Sequence, residues 1–183
     1  KNLKRMTKED IKLFDLNYDD LKYYLLGNSL ETIPSLVDVL NLVNGKVPLL
    51  IEIKPIKNKK KHLKKLVEIL DNYEGKYAVF SFSPFIVKWF KKYRPNYIRG
   101  QISSFFEENK IPKFLKYFYK SMFFNRFTKP DFISYNINNI PNKYIEKARI
   151  EGLILFGYTA RTIDEYHNAL KYLDNVVFEN FKF

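Results

Sequence analysis

A chain of 183 residues with 46% hydrophobic and 17% aromatic content is one domain's worth of sequence and can bury a real core, which excludes wholesale disorder. Its 6 glycines and 8 prolines exclude collagen-like and low-complexity chains, and the lack of cysteine removes disulfide scaffolds, thiolate metal sites and thiol nucleophiles. Thirty-two basic against 20 acidic side chains give a net charge of +12, which points to an anionic partner: nucleic acid, an anionic membrane surface or small phosphate esters.

The approach Lys1–Asn44 carries one helical stretch, Pro34–Val43, and no strand. Beyond it strand-like and helix-like runs alternate. Pro48–Ile53 reads as a strand, Lys59–Asn72 as a helix, Tyr77–Phe82 as a strand and Pro84–Tyr93 as a helix. The strand Tyr97–Ile102 is followed by a helix over Ile111–Phe127, and the strand Asp131–Tyr135 by a helix over Asn142–Glu151. Leu153–Tyr158, the helix Thr162–Leu173 and the strand Asn175–Phe178 close the chain. Helix starts are signalled by Ser83-Pro84, by Pro141-Asn142, and by Thr162 with Glu165 three residues on, a capping box. Such alternation predicts parallel strands with right-handed crossovers, an α/β fold. An open doubly wound sheet lacks support, because no Gly-rich phosphate loop follows any strand. The other parallel architecture is the TIM (β/α)8 barrel of about 250 residues. Six strands in this length predict a truncated barrel with about six of eight β/α units, residues 1–183 forming one domain without the first two.

The chemistry concentrates at the end of the first strand, Leu49-Leu50-Ile51-Glu52-Ile53-Lys54-Pro55. Period-two alternation puts Leu50, Glu52 and Lys54 on one face and Leu49, Ile51 and Ile53 on the other. A carboxylate among Leu and Ile is costly to desolvate unless paired or metal-bound. Barrel enzymes keep their active sites at the C-terminal strand ends. Glu52 is therefore a candidate ligand for a hard divalent cation, and Lys54 a candidate for binding an anionic oxygen nearby. The alternative is a Glu52–Lys54 ion pair lining the interior.

These residues resemble a known family. Asn2-Leu3-Lys4-Arg5-Met6-Thr7, Ile33-Pro34-Ser35-Leu36 with Asp38-Val39-Leu40, and Pro48-Leu49-Leu50-Ile51-Glu52-Ile53-Lys54 look like the glycerophosphodiester phosphodiesterase family. Ser81-Phe82-Ser83-Pro84, Arg94-Pro95, Gly100, Pro130-Asp131-Phe132 and Gly157-Tyr158-Thr159 follow in that family's order. The resemblance implies a TIM barrel, a divalent metal cofactor (Mg or Ca), and hydrolysis of glycerophosphodiesters to glycerol 3-phosphate and an alcohol. Glu52 matches the family's metal-binding glutamate and Lys54 its lysine. Tyr158 stands where the family usually has a tryptophan beside the site. The family's His-Arg-Gly, Glu-x-Asp and His-Asp motifs precede the stretch that opens this chain. The resemblance thus puts both catalytic histidines upstream of Lys1 and leaves the 183-residue piece without catalytic residues, expected to be inactive alone. A catalytically dead barrel acting as a binding module, or a related phospholipase-type enzyme, stands as the alternative.

Other residues carry weaker signals. His62 and His167 match no family histidine and read as solvated helix residues. Ser81 is a candidate phosphate or glycerol contact with Ser83 beside it, although Ser83 serves equally well as a helix N-cap. Gln101, Tyr135 and Glu179 also end strands and could line the mouth, although such residues more often serve packing or loop chemistry than catalysis. The run Lys57–Lys65 reads as a solvated helix entry, and without a recognition motif no nucleic-acid partner is expected. In Ile111–Phe127, Ile111, Phe114, Leu115, Phe118 and Met122 form the stripe expected to pack on the barrel. Its remaining aromatics, lysines and absence of acids suit peripheral contact with an anionic membrane; a barrel helix covered by the missing N-terminal part or by a neighbouring subunit is the alternative. No apolar run nears the ~18–20 residues of a membrane span, and a cysteine-free chain suits the cytoplasm.

Overall fold

The computed structural model describes residues 2–55, 58–107 and 111–183, so Lys57, first of the basic run, lies outside the described residues. The approach folds from local pieces: helix α1 (Lys4–Thr7), 3-10 turns at Leu13–Asp15 and Tyr18–Tyr23, and helix α2 (Leu36–Val43). Ser35 and Asp38 cap α2 reciprocally, each side chain accepting from the other's backbone N–H. Alternation then takes over: β1 (Leu49–Glu52), α3 (Lys59–Leu70), β2 (Tyr77–Ser81), α4 (Pro84–Tyr93), β3 (Arg99–Ser103), α5 (Lys113–Lys120) and α6 (Asn125–Thr128). After these come β4 (Phe132–Asn136), α7 (Lys143–Ile150), β5 (Ile154–Ala160), α8 (Ile163–Leu170) and β6 (Asn175–Phe178). Every expected strand forms within two residues of its expected ends.

All six strands pair in parallel and in chain order, β1 to β6, which excludes a doubly wound sheet, whose order reverses in the middle. The sheet is strongly curled. In a flat sheet β2 and β5 would lie about 14 Å apart, three strand spacings. Yet the rings of Phe82, just past β2, and Tyr158 on β5 meet edge to face at 6.0 Å between centroids. The result is a curled half-barrel.

Two cores cover the convex face. Leu49, Ile51 and Ile53 pack with Leu63 and Val67 of α3 and Phe90 of α4; Ile133, Leu155 and Val176 pack with Ile145 of α7 and Ala169 of α8. The concave face is filled by rings. Phe132 meets Phe80 at 6.0 Å and Phe156 at 5.3 Å. Phe80 and Phe132 reach each other across β3 because Gly100 stands between them without a side chain; a Cβ there would lie 2.3 Å from the Phe132 ring.

Two expectations need correction. The helix over Ile111–Phe127 is broken: α5 ends at Ser121, Met122 takes a left-handed φ of 53°, and α6 restarts at Asn125. The reason lies in the strands, for Ser103 Oγ donates to the Tyr119 carbonyl (2.8 Å) and the Tyr135 hydroxyl to that of Lys120 (2.9 Å). These bonds satisfy terminal carbonyls that a continuing helix would use. Met122 turns into the β4–β5 core, while Phe114, expected in the buried stripe, is exposed. At α8, Thr162 accepts from the Glu165 N–H as expected, but the Glu165 carboxylate reaches past it to the Arg161 N–H.

Candidate functional site

Strand β1 delivers its alternation as expected. Leu49, Ile51 and Ile53 enter the helix-side core, so Leu50, Glu52 and Lys54 face the concave side. Lys54 Nζ lies against Glu52 Oε1 as an ion pair. The carboxylate side chain is 28% exposed and the ammonium 49%, leaving the pair half open at the strand end. A pair that wet adds at most about 1 kcal/mol to stability, so folding alone gives little reason for it.

Tyr158 closes the opposite side. Its hydroxyl donates to the Ser103 carbonyl (2.9 Å), fixing the ring over the strand ends. Burial pushes the phenol pKa well above its ordinary value; a hydrogen bond from Ser104 works against this, and the Glu52 charge adds to it. The phenol therefore stays protonated, and it lies close enough to Glu52 to feel its field. Phe82 packs edge-on against Tyr158, and Phe106 against Phe82, both at 6.0 Å, which makes one aromatic wall beside the charged pair. Phe82 and Phe106 were not among the sequence candidates. The signal for Phe82 was its period-two relation to Phe80.

The other candidates are structural. Ser81 sits on the helix side with 0% exposure; its hydroxyl donates to the Ile53 carbonyl (2.6 Å) and accepts from the Ser83 N–H (3.1 Å). Ser81, expected as a phosphate or glycerol contact, thus spends its hydroxyl on the backbone of the two strand ends. Gln101 is buried, its amide donating to the carbonyls of Ser81, Phe82 and Ile102. Tyr135 holds the end of α5, and Glu179 accepts from Arg161. His62 and His167 are exposed on helices α3 and α8.

Among the described residues no group of three or more His, Asp or Glu side chains stands together to hold a metal. A hard cation takes six or more oxygens, and a single carboxylate set against an ammonium does not supply them. The described residues do not by themselves make a divalent-cation site.

Comparison with known proteins supplies the context. A phosphodiesterase of Oleispira antarctica, solved with its product sn-glycerol-3-phosphate, superposes with a TM-score of 0.76 at 18% identity, over 97% of this chain and 72% of its own. A Galdieria sulphuraria protein provisionally assigned as a glycerophosphodiester phosphodiesterase gives 0.73 at 16%, over 97% and 73%. The glycerophosphodiester phosphodiesterase of Thermotoga maritima gives 0.67 at 16%, over 97% and 72%. No curated protein matches the chain. The sequence pattern of the glycerophosphoryl diester phosphodiesterase family matches residues 1–181, and the chain belongs to that family.

Proposed function

We propose that this chain carries the charged part of a site that hydrolyses glycerophosphodiesters to glycerol 3-phosphate and an alcohol. The observation that supports it is the half-open Glu52–Lys54 pair at the C-terminal end of β1, in a chain of this family. Lys54 has the exposure to exchange part of its contact with Glu52 for a phosphate oxygen. Tyr158 and Phe82 offer ring edges to glycerol carbons and keep water from that side. Glu52 is one oxygen donor toward Mg or Ca once further donors join it. Hydrolysis adds hydroxyl to phosphorus and a proton to the leaving alkoxide, which calls for a base and an acid. Both histidines are exposed on helices and make no contact with the Glu52–Lys54 pair, so residues 1–183 alone are expected to turn over no substrate. In the same reading the chain is one domain, and its six strands are six of a barrel's eight β/α units. A catalytically silent binding barrel is the second reading, favoured by the outward placing of both histidines.

The test is glycerol 3-phosphate release from glycerophosphocholine by the natural polypeptide, with and without a chelator, beside Glu52→Gln and Lys54→Gln. Each variant is expected to lose at least ~100-fold in kcat/KM, on the scale of one lost electrostatic contact to the transition state. Activity equal to the natural protein's in Glu52→Gln at limiting metal removes Glu52 from the site. Glycerophosphocholine bound but not hydrolysed selects the silent barrel.

A further inference from the structure

The charge of the molecule is unevenly placed. Residues 75–130 hold twelve basic and two acidic side chains, so they carry +10 of the net +12. This segment comprises β2, α4, β3, α5 and α6. From 111 to 130 there is no acid at all. Large exposed aromatics share the same surface: Phe114 is 63% exposed, Tyr117 54% and Phe127 49%, beside exposed Lys113, Arg126 and Lys129. Beneath them the rings of Phe118, Phe123 and Phe124 pack against one another edge to face or tilted, and the Arg126 guanidinium lies 3.8 Å over the Phe123 ring. Lys91 of α4 donates to the Phe127 carbonyl and ties α6 to the wall.

The surface also has a place relative to the site. Helix α5 is held at the C-terminal ends of β3 and β4 by Ser103 and Tyr135. A continuous row of ring contacts runs from Tyr158 through Phe82, Phe106 and Tyr119 to Phe124. The aromatic and basic surface therefore flanks the mouth that holds Glu52 and Lys54.

We infer that α5 and α6 dock this mouth onto an anionic phospholipid bilayer, with Phe114, Tyr117 and Phe127 entering the headgroup region and the surrounding cations meeting lipid phosphates. Charge complementarity names the occupant: acid-free cations interleaved with exposed benzyl groups match a surface that is anionic above and apolar below. Nucleic acid fits less well. Reading it needs donors aligned on base edges or a groove that follows the backbone. Here the groups exposed between cations include phenylalanines, and the Arg126 guanidinium is folded onto Phe123. Docking needs no catalysis, so failure to bind lipid and failure to hydrolyse are separate results.

The experiment is co-sedimentation of the chain with vesicles of phosphatidylcholine alone or mixed with phosphatidylglycerol. Binding is expected only to the mixed vesicles and is expected to vanish at high salt. Each of Lys113→Gln and Lys129→Gln should weaken partitioning about fivefold, the effect of one cation near an anionic membrane. Phe114→Ala with Phe127→Ala should weaken it further while leaving the far-ultraviolet circular dichroism unchanged. If that double variant misfolds, Phe114→Trp replaces it, and the emission of the introduced indole is expected to shift to the blue on mixed vesicles. The inference is overturned by no binding of the natural sequence to mixed vesicles, by equal binding to neutral ones, by an unshifted emission in Phe114→Trp, or by tighter binding to duplex or single-stranded nucleic acid at the same salt.

Discussion

Ser81 and Glu52 show how finely the faces of neighbouring strands divide the work. Glu52 stands in register with Phe80 and faces inward; Ser81, one residue on, faces the helices and reaches back to the Ile53 carbonyl between Glu52 and Lys54. Its hydroxyl thus fixes the strand end that carries the charged pair. In Ser81→Ala the Ile53 carbonyl and the Ser83 N–H both lose a buried partner, at a cost of about 1–3 kcal/mol. In a chain this size that corresponds to a fall of roughly 2–10 °C in the melting temperature, measured by circular dichroism. A direct phosphate contact would give the opposite pattern, unchanged melting with weakened substrate binding. The faces of β1 were readable from the sequence and those of β2 were not, for one reason. β1 mixes charge with aliphatics, so alternation reveals its faces, whereas β2 is apolar on both sides and alternation in Tyr77–Ser81 has nothing to contrast. Gly100 was legible only as a position; its reason, the Phe132 ring lying over it, depends on a strand paired 32 residues away.

Helix α5 is an element whose end is set from outside. Its own pattern continues, with aromatics and lysines through Arg126, and nothing local announces a stop at Ser121. The stop comes from Ser103 and Tyr135, which take its last carbonyls, and from Met122, which buries itself by adopting left-handed backbone. Helix starts, in contrast, are local chemistry and were readable: Asn142 accepts from the N–H groups of both Tyr144 and Ile145, and Pro84 opens α4 directly after Ser83. If the strand side chains hold α5 in place, Tyr135→Phe and Ser103→Ala should each lower stability by about 1 kcal/mol. Hydrogen exchange should show the consequence locally, with the amides of Lys116–Ser121 exchanging faster in both variants and those of α7 unchanged. Uniform acceleration across the chain would mean that the two bonds contribute only to global stability and do not terminate the helix.

At the scale of the whole molecule, the sheet order was legible because strands alternating with helices leave few parallel topologies open, and sequential pairing is the simplest. Curvature was expected from the barrel reading, but the contacts behind it were not legible. It arises from side chains meeting across strands far apart in sequence, such as Phe82 and Tyr158. That curvature leaves the concave side incompletely covered: among the described residues β1 and β6 each pair with one neighbouring strand, and the inward-facing Leu50 is 45% exposed, with Ile154 52% exposed on β5. Unpaired strand edges and open apolar side chains both favour association between copies. Residues 1–183 prepared alone should therefore sediment as a concentration-dependent mixture of monomer and larger species. Leu50→Lys and Ile154→Lys place charge on the open face without removing a buried packing group, so the double variant should shift the mixture toward monomer by roughly tenfold in association constant, as expected when apolar contact area of two side chains is lost. Sedimentation velocity across a dilution series reads this directly. A monomer at every concentration would show that the concave face is already closed in solution, with the half-barrel collapsed onto its own ring layer of Phe80, Phe132 and Phe156.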